Sequence, residues 1–323
     1  ILQSLPQAIQ TMLDPADCGP ACLSLCQDVQ GETFEYPEEF FKERVHNIRR
    51  PKPDDFQIKQ AVERIKNSKN PIIISGGGVF YSDAMEELSN FAVKHNIPVT
   101  QTVMGYSTMK KDHSHFVGPI GGLGGKAANN LAKETDLAIC IGTKLADFTT
   151  GSWANFENPE FKLVSINIAR HDANKHLAEA VIGDAKVTLT ELSNAIGDWK
   201  SSDSWHKKSQ VELKSWNEYV DKESGPTNQE LPSYAHAVGA IYRNSDPTDI
   251  AVTAAGGLVG EVVQVWRPKE LNTHETEWGF SCMSYEISGA LGIKMANPDK
   301  DVIAFVGDGS YPVSYTHLTL PTI

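Results

Sequence analysis

Apolar residues fall into short runs and helical stripes that alternate along most of the chain. The run Pro71-Ile-Ile-Ile-Ser75 predicts a buried strand, and Ser82 to His95, with Met85, Leu88, Phe91 and Ala92 on one face, predicts an amphipathic helix. Ile97 to Thr100, Asp136 to Gly142, Lys162 to Ile168 and Val181-Ile182 read as further strands, and a helix from Lys186 to about Trp199 closes the series. Such βαβ alternation predicts an α/β fold, a doubly wound parallel sheet filling residues 58–200. The pattern then recurs. A helix from Tyr234 to Arg243, a strand from Asp249 to Ala254, a turn at Ala255-Gly256-Gly257, a helix from Leu258 to Trp266, a helix from about Ser284 to Met295 and a strand ending at Gly307 predict a second parallel sheet within 233–311.

The intervening stretches read differently. Leu5, Ile9, Met12 and Leu13 share a helical face, and with Ala21 to Leu25 they read as the edge of a preceding domain over residues 1–33. Residues 34–57 are charged and punctuated by Pro37, Pro51 and Pro53, as a surface linker would be. Residues 201–232 are polar, with a helix ending at Gly225-Pro226, and read as a second linker. From Val313 to Ile323 the wording resembles translated adapter sequence, so residues 312–323 are expected to be an appended tail; a polar C-terminal strand is the other reading.

Charge and composition narrow the function. Twenty-nine Lys and Arg against 41 Asp and Glu leave the 323-residue chain at −12, and its aromatics are not interleaved with a basic stripe. Neither a nucleic acid nor an anionic membrane is therefore expected as partner. No apolar run approaches the roughly 20 residues that span a bilayer, and the cytoplasm is the expected compartment. Cys18, Cys22, Cys26, Cys140 and Cys282 form no C-x-x-C pair and are expected as free thiols.

Two glycine clusters stand out, the first after an expected strand and the second in an expected loop. Ser75-Gly76-Gly77-Gly78 sits where a dinucleotide pyrophosphate would rest, but Tyr81 occupies the third glycine place and no acidic residue ends the next strand. A tight strand-to-helix turn is the simpler reading. Gly118 to Gly125 is open to two readings of equal standing: a loop that approaches a ligand, or a helix N-terminus packed against a neighbour. His113 and His115 lie in an expected loop and suit solvent exposure better than metal, and no G-x-S-x-G elbow supports a serine hydrolase.

The sharpest signal is Gly307-Asp308-Gly309-Ser310. An apolar strand delivers a carboxylate to its C-terminal end, the rim where open α/β sheets bind ligands, and an Asp there suits Mg²⁺ shared with a diphosphate. Together with Thr253 to Trp266 and Trp278 to Glu286, this tetrapeptide resembles the diphosphate-binding domain of thiamine-diphosphate-dependent enzymes. The resemblance implies a central Rossmann-like domain at 58–200 and the start of a diphosphate-binding domain at 233–311. It further implies thiamine diphosphate and Mg²⁺ as cofactors. By position, Gly256, Gly257 and Leu258 would receive the phosphates, Met283 with Ser281 beside it would prop the bent cofactor, and Asp308 would bind the metal, flanked by Gly309 and Ser310.

Several phrases, Gln27 to Glu32, Asp147 to Thr150, Val265 to Lys269 and Gly279 to Glu286, are most similar to the inositol-catabolic branch, which opens a cyclic 1,2-dione by hydrolysing a C–C bond to give 5-deoxyglucuronate. The implied partners are that small cyclic diketone and further copies of the chain as a homo-oligomer. In the family the glutamate that polarises the aminopyrimidine belongs to an N-terminal domain and a second metal ligand lies beyond Gly309. The resemblance therefore implies no catalytic side chain here, and weak cofactor binding or none by this stretch alone. An acetolactate-synthase-type carboligase or decarboxylase is the alternative within the family, and a non-catalytic nucleotide-binding module on residues 58–200 is the alternative outside it.

Overall fold

The computed structural model describes residues 1–313, so most of the expected tail, 314–323, lies outside the described residues. Six strands, β1 (Pro71–Ser75), β2 (Val99–Gln101), β3 (Phe116–Pro119), β4 (Leu137–Ile141), β5 (Lys162–Asn167) and β6 (Glu179–Ile182), form one sheet ordered β3-β2-β1-β4-β5-β6. All neighbours are parallel. β1 and β4, PIIIS and LAICI, are buried at every position, as strands covered on both faces must be. One face packs Ile73, Ile139, Val164 and Val181 with the helices Asp55–Asn67, Met85–His95 and Ala185–Ile196. The other packs Ile72, Ile74, Ala138 and Cys140 under the helices Lys126–Glu134 and Asp203–Glu223.

Sequence chemistry sets these boundaries. The Asp184 and Ser202 side chains accept backbone N–H groups of their helices' first turns, and Asn96 ends its helix in the left-handed region at φ 56°. The expected helix over 82–95 begins only at Met85. A separate turn of helix, Gly78–Tyr81, precedes it, and Asp83 at φ 51° breaks the path between the two. The first helix of the sheet unit starts at Asp55, within the expected linker, because Asp54 caps it by accepting from Phe56 N–H. Just before it, Arg50 pairs with Asp184 and the Pro51 carbonyl accepts from Asp184 N–H.

Residues 203–223 form the expected helix, 21 residues long, and it packs on the sheet. It is anchored by Trp205, whose indole N–H donates to the Pro71 carbonyl at 2.8 Å. The five cysteines are free thiols, with Cys140 buried in the sheet and the other four exposed. No helix among the described residues is long and apolar enough to cross a membrane.

The second sheet is smaller. β7 (Ile250–Thr253) lies between β8 (His274–Thr276) and β9 (Val302–Ala304), all parallel. Helices Leu258–Val265 and Tyr285–Ala296 follow β7 and β8. Val259 and Val263 pack with Val103, Tyr106 and Leu123 of the first unit, which fixes the start of the 258–265 helix against the larger sheet.

Candidate functional site

β7 and β9 are hydrogen-bonded neighbours, and Phe305 N–H donates to the Val252 carbonyl. Their C-terminal ends therefore place the 254–258 turn and the 306–310 turn side by side. At the first turn Gly256 holds φ +82°, a backbone region that costs a residue with a Cβ. Neither Gly256 nor Gly257 would meet any atom within 4 Å if given a Cβ, so a cradle stands open in front of the helix N-terminus at Leu258. Unpaired N–H groups there favour an anion.

The segment after β8 closes the rim. Glu277 accepts from Phe280 N–H at 2.8 Å and Cys282 N–H at 2.6 Å. Burial works to raise its carboxyl, but these backbone bonds outweigh it and hold the group below its usual range. The turn so fixed carries Ser281 and Ser284 at φ 54° and 80°, and Ser281 Oγ donates to the Ala254 carbonyl at 3.3 Å. Met283 lies between them and is 54% exposed, on the surface of the same turn rather than in a core.

One residue joins all three segments. Glu286, wholly buried, accepts from Ala255 N–H at 3.2 Å and from Ser310 Oγ at 2.9 Å, while Ser310 Oγ accepts from Ser284 N–H at 2.7 Å. Sequence reading included Glu286 in a phrase without assigning it a role. Its one outward signal is an acid in the first turn of an otherwise apolar helix, where acids are ordinary. Because its carboxylate takes the Ala255 amide, the open donors of the turn begin at Gly256. Ser310 is buried with its hydroxyl engaged, whereas Asp308 and Gly309 are exposed, and Asp308 Oδ1 accepts from Gly309 N–H at 2.9 Å. No group of three His, Cys, Asp or Glu side chains suited to a metal ion occurs among the described residues.

The glycine clusters of the first unit play another part. A Cβ on Gly78 would stand 2.6 Å from Gly142 Cα, and one on Gly76 would strike the Gly142 carbonyl, so backbone fills the place where a pyrophosphate would lie. In the second cluster Gly121 abuts the Phe148 carbonyl, and a Cβ on Gly125 would come within 2.6 Å of the Trp216 indole nitrogen. Of the two readings, the packed one describes these two glycines. This loop also braces the candidate site. Leu123 contacts the 258–265 helix, its carbonyl accepts from Gln264 Nε2, and Phe148 packs edge-on against Trp278 at 5.1 Å.

The expectation of solvent-exposed His113 and His115 fails. His115 is 6% exposed and stacks on His206 at 4.2 Å, because the 203–223 helix covers it, and His113 bonds Ser89.

Residues 58–192 match the family described as thiamine pyrophosphate enzyme, central domain, and residues 254–319 match thiamine pyrophosphate enzyme, C-terminal TPP binding domain. The chain belongs to the thiamine pyrophosphate enzymes. Among curated relatives it is 36% identical over 341 residues to the 3D-(3,5/4)-trihydroxycyclohexane-1,2-dione hydrolase of Clostridium perfringens, covering 98% of this chain and 53% of that protein. The namesake from Bacillus anthracis is 39% identical over 346 residues with the same coverage, and that from Clostridium tetani 37% over 342. The chain thus spans about half the length of the curated relatives it matches.

Proposed function

We propose that the chain supplies the diphosphate-holding rim of a thiamine-diphosphate-dependent hydrolase that opens the ring of 3D-(3,5/4)-trihydroxycyclohexane-1,2-dione, yielding an open-chain deoxy-sugar acid. The observation that carries the reading is the open cradle at Gly256-Gly257, tied through Glu286 to the Gly-Asp-Gly-Ser turn. A diphosphate fits this cradle, since the amides of Gly256, Gly257 and Leu258 have room and the helix start favours negative charge. When bound, the thiazolium of the cofactor supplies a carbon nucleophile and an electron sink for C–C cleavage.

The chain's residues hold and orient. Met283, exposed at the rim, presents an apolar side chain against which a bent cofactor can rest, and Ser281 fixes that turn to Ala254. Asp308 is an exposed carboxylate at the rim whose one hydrogen bond among the described residues is to the neighbouring Gly309 N–H, so it would give Mg²⁺ one side-chain ligand, with Gly309 and Ser310 shaping its turn. Diphosphate oxygens, water and other groups would supply its remaining ligands. This reading entails loose cofactor binding by the chain on its own. The cyclic dione as partner, in keeping with the activity for which the relatives are named, belongs to the same proposal, as do assembly as a homo-oligomer, which rests on the family resemblance, and a cytoplasmic location, which suits five free thiols. The test compares dione consumption with pyruvate consumption by a polypeptide carrying this chain at its relatives' full length, with thiamine diphosphate and Mg²⁺. Dione opening without pyruvate turnover is expected, and pyruvate turnover alone would replace the reading with the acetolactate-synthase one.

A further inference from the structure

A cleft of about 530 Å³ opens at the N-terminal ends of β5 and β6, on the sheet that does not carry the proposed cofactor rim. Trp153 and Phe161 form its apolar wall, and the His176 ring meets the Trp153 indole edge-on at 4.6 Å. Arg64, Lys162 and Glu179 supply its charge. That volume lies in the range of small-molecule sites, which pair aromatic walls with a few fixed polar groups.

Two further observations set the cleft apart from an ordinary surface crease. First, its walls come from two stretches of left-handed non-glycine backbone, Ser152 and Trp153 at φ 53° and 66°, and His176 and Leu177 at φ 60° and 58°. Such residues are uncommon, and they gather where a side chain must be held in a demanding direction. The result is a ring pair held over the cleft, with Leu177 wholly exposed at its lip. Second, its charge runs against that of the molecule. The chain is at −12, yet the cleft carries two cations and one carboxylate. Arg64 is only loosely paired with Glu179, at 3.6 Å, and Lys162, at the first position of β5, makes no ion pair among the described residues.

We propose that this cleft is a second binding site of the central unit, and that it takes a small anion bearing a planar ring. The ring lies against Trp153 and Phe161, and the anionic group is held by Lys162 and Arg64. Both halves of the ligand are required. An uncharged ring leaves the cations solvated, and a bare anion at an exposed pair gains little, because surface ion pairs are weak.

Titration calorimetry of the 323-residue chain with 2-naphthoate tests the inference, with uncharged 2-naphthamide and inorganic phosphate as controls. Expected is a single class of sites for 2-naphthoate, with the amide and phosphate each weaker by roughly tenfold or more. Trp153→Ala should abolish the binding. Lys162→Gln, at an exposed strand end where folding is unaffected, should weaken 2-naphthoate severalfold and leave 2-naphthamide unchanged. No heat at millimolar 2-naphthoate, equal binding of acid and amide, or an affinity untouched by Lys162→Gln would each overturn the proposal.

Discussion

Replacing Glu286 by alanine removes a fully buried carboxylate that accepts from Ala255 N–H and Ser310 O–H. Both donors are then left without a partner, at about 1–3 kcal/mol each, while relief from burying a charge returns part of that. A net loss of about 2–4 kcal/mol is expected, local to the two turns. At the lower bound this corresponds to roughly 30-fold faster amide exchange through local opening. Glu286→Gln should retain most of the protection, because its carbonyl can still accept from Ala255 and its amide can donate to Ser310 Oγ. Hydrogen-exchange mass spectrometry of peptides 250–258 and 302–311, with peptide 69–76 as reference, measures this directly. The reasoning is refuted if Glu286→Ala leaves the two turns at their original rates, or if peptide 69–76 accelerates equally.

Other expectations follow from the same structure. Burial, reinforced by His206 and His113, lowers the His115 pKa from 6.5 to about 4, and burial alone does the same for His274. A folded-state pKa below the unfolded one gives stability that is complete above pH 6.5 and is lost as pH falls toward 4, so the urea midpoint should drop between pH 7.5 and 5. His115→Asn should flatten the profile, and an unchanged midpoint in the native chain would contradict it. Asp308→Asn should remove the Mg²⁺-dependent part of thiamine diphosphate binding without moving the thermal midpoint, since its bond to Gly309 N–H is local and exposed; an unchanged Mg²⁺ dependence would count against it. Gly142→Ala combines φ +60° with a Cβ 2.6 Å from Gly78 Cα, so circular dichroism should show a central unit destabilised by several kcal/mol, about 3 or more.

β1, β4 and β5 were legible because they are apolar runs rich in isoleucine, leucine and valine, as strands covered on both faces are. β3 and β8 were not. Phe116–Pro119 contains Gly118 and a proline, and His274–Thr276 is three polar residues, so their strand character comes from pairing with β2 and β7 rather than from their own composition. The helix Lys126–Glu134 escaped the sequence reading although Ala127, Ala128, Leu131 and Ala132 recur on one face, because it is only nine residues long and opens directly from the Gly118 to Gly125 cluster. At the candidate site the Gly-Asp-Gly-Ser turn was legible as a strand-end carboxylate between glycines. Glu286 and Glu277 were not, because each looks like a common surface acid until the fold brings separate backbone amides to it.

The central claim is that the ends of β7 and β9 form the diphosphate site. Titrating the ¹⁵N-labelled chain with thiamine diphosphate and Mg²⁺, and following amide resonances, locates the contact even when binding is weak. Shifts concentrated at Gly256, Gly257, Leu258, Asp308 and Gly309, saturating only in the millimolar range, are predicted. Shifts at 75–78 or 121–125 instead, or none at millimolar cofactor, would contradict the account.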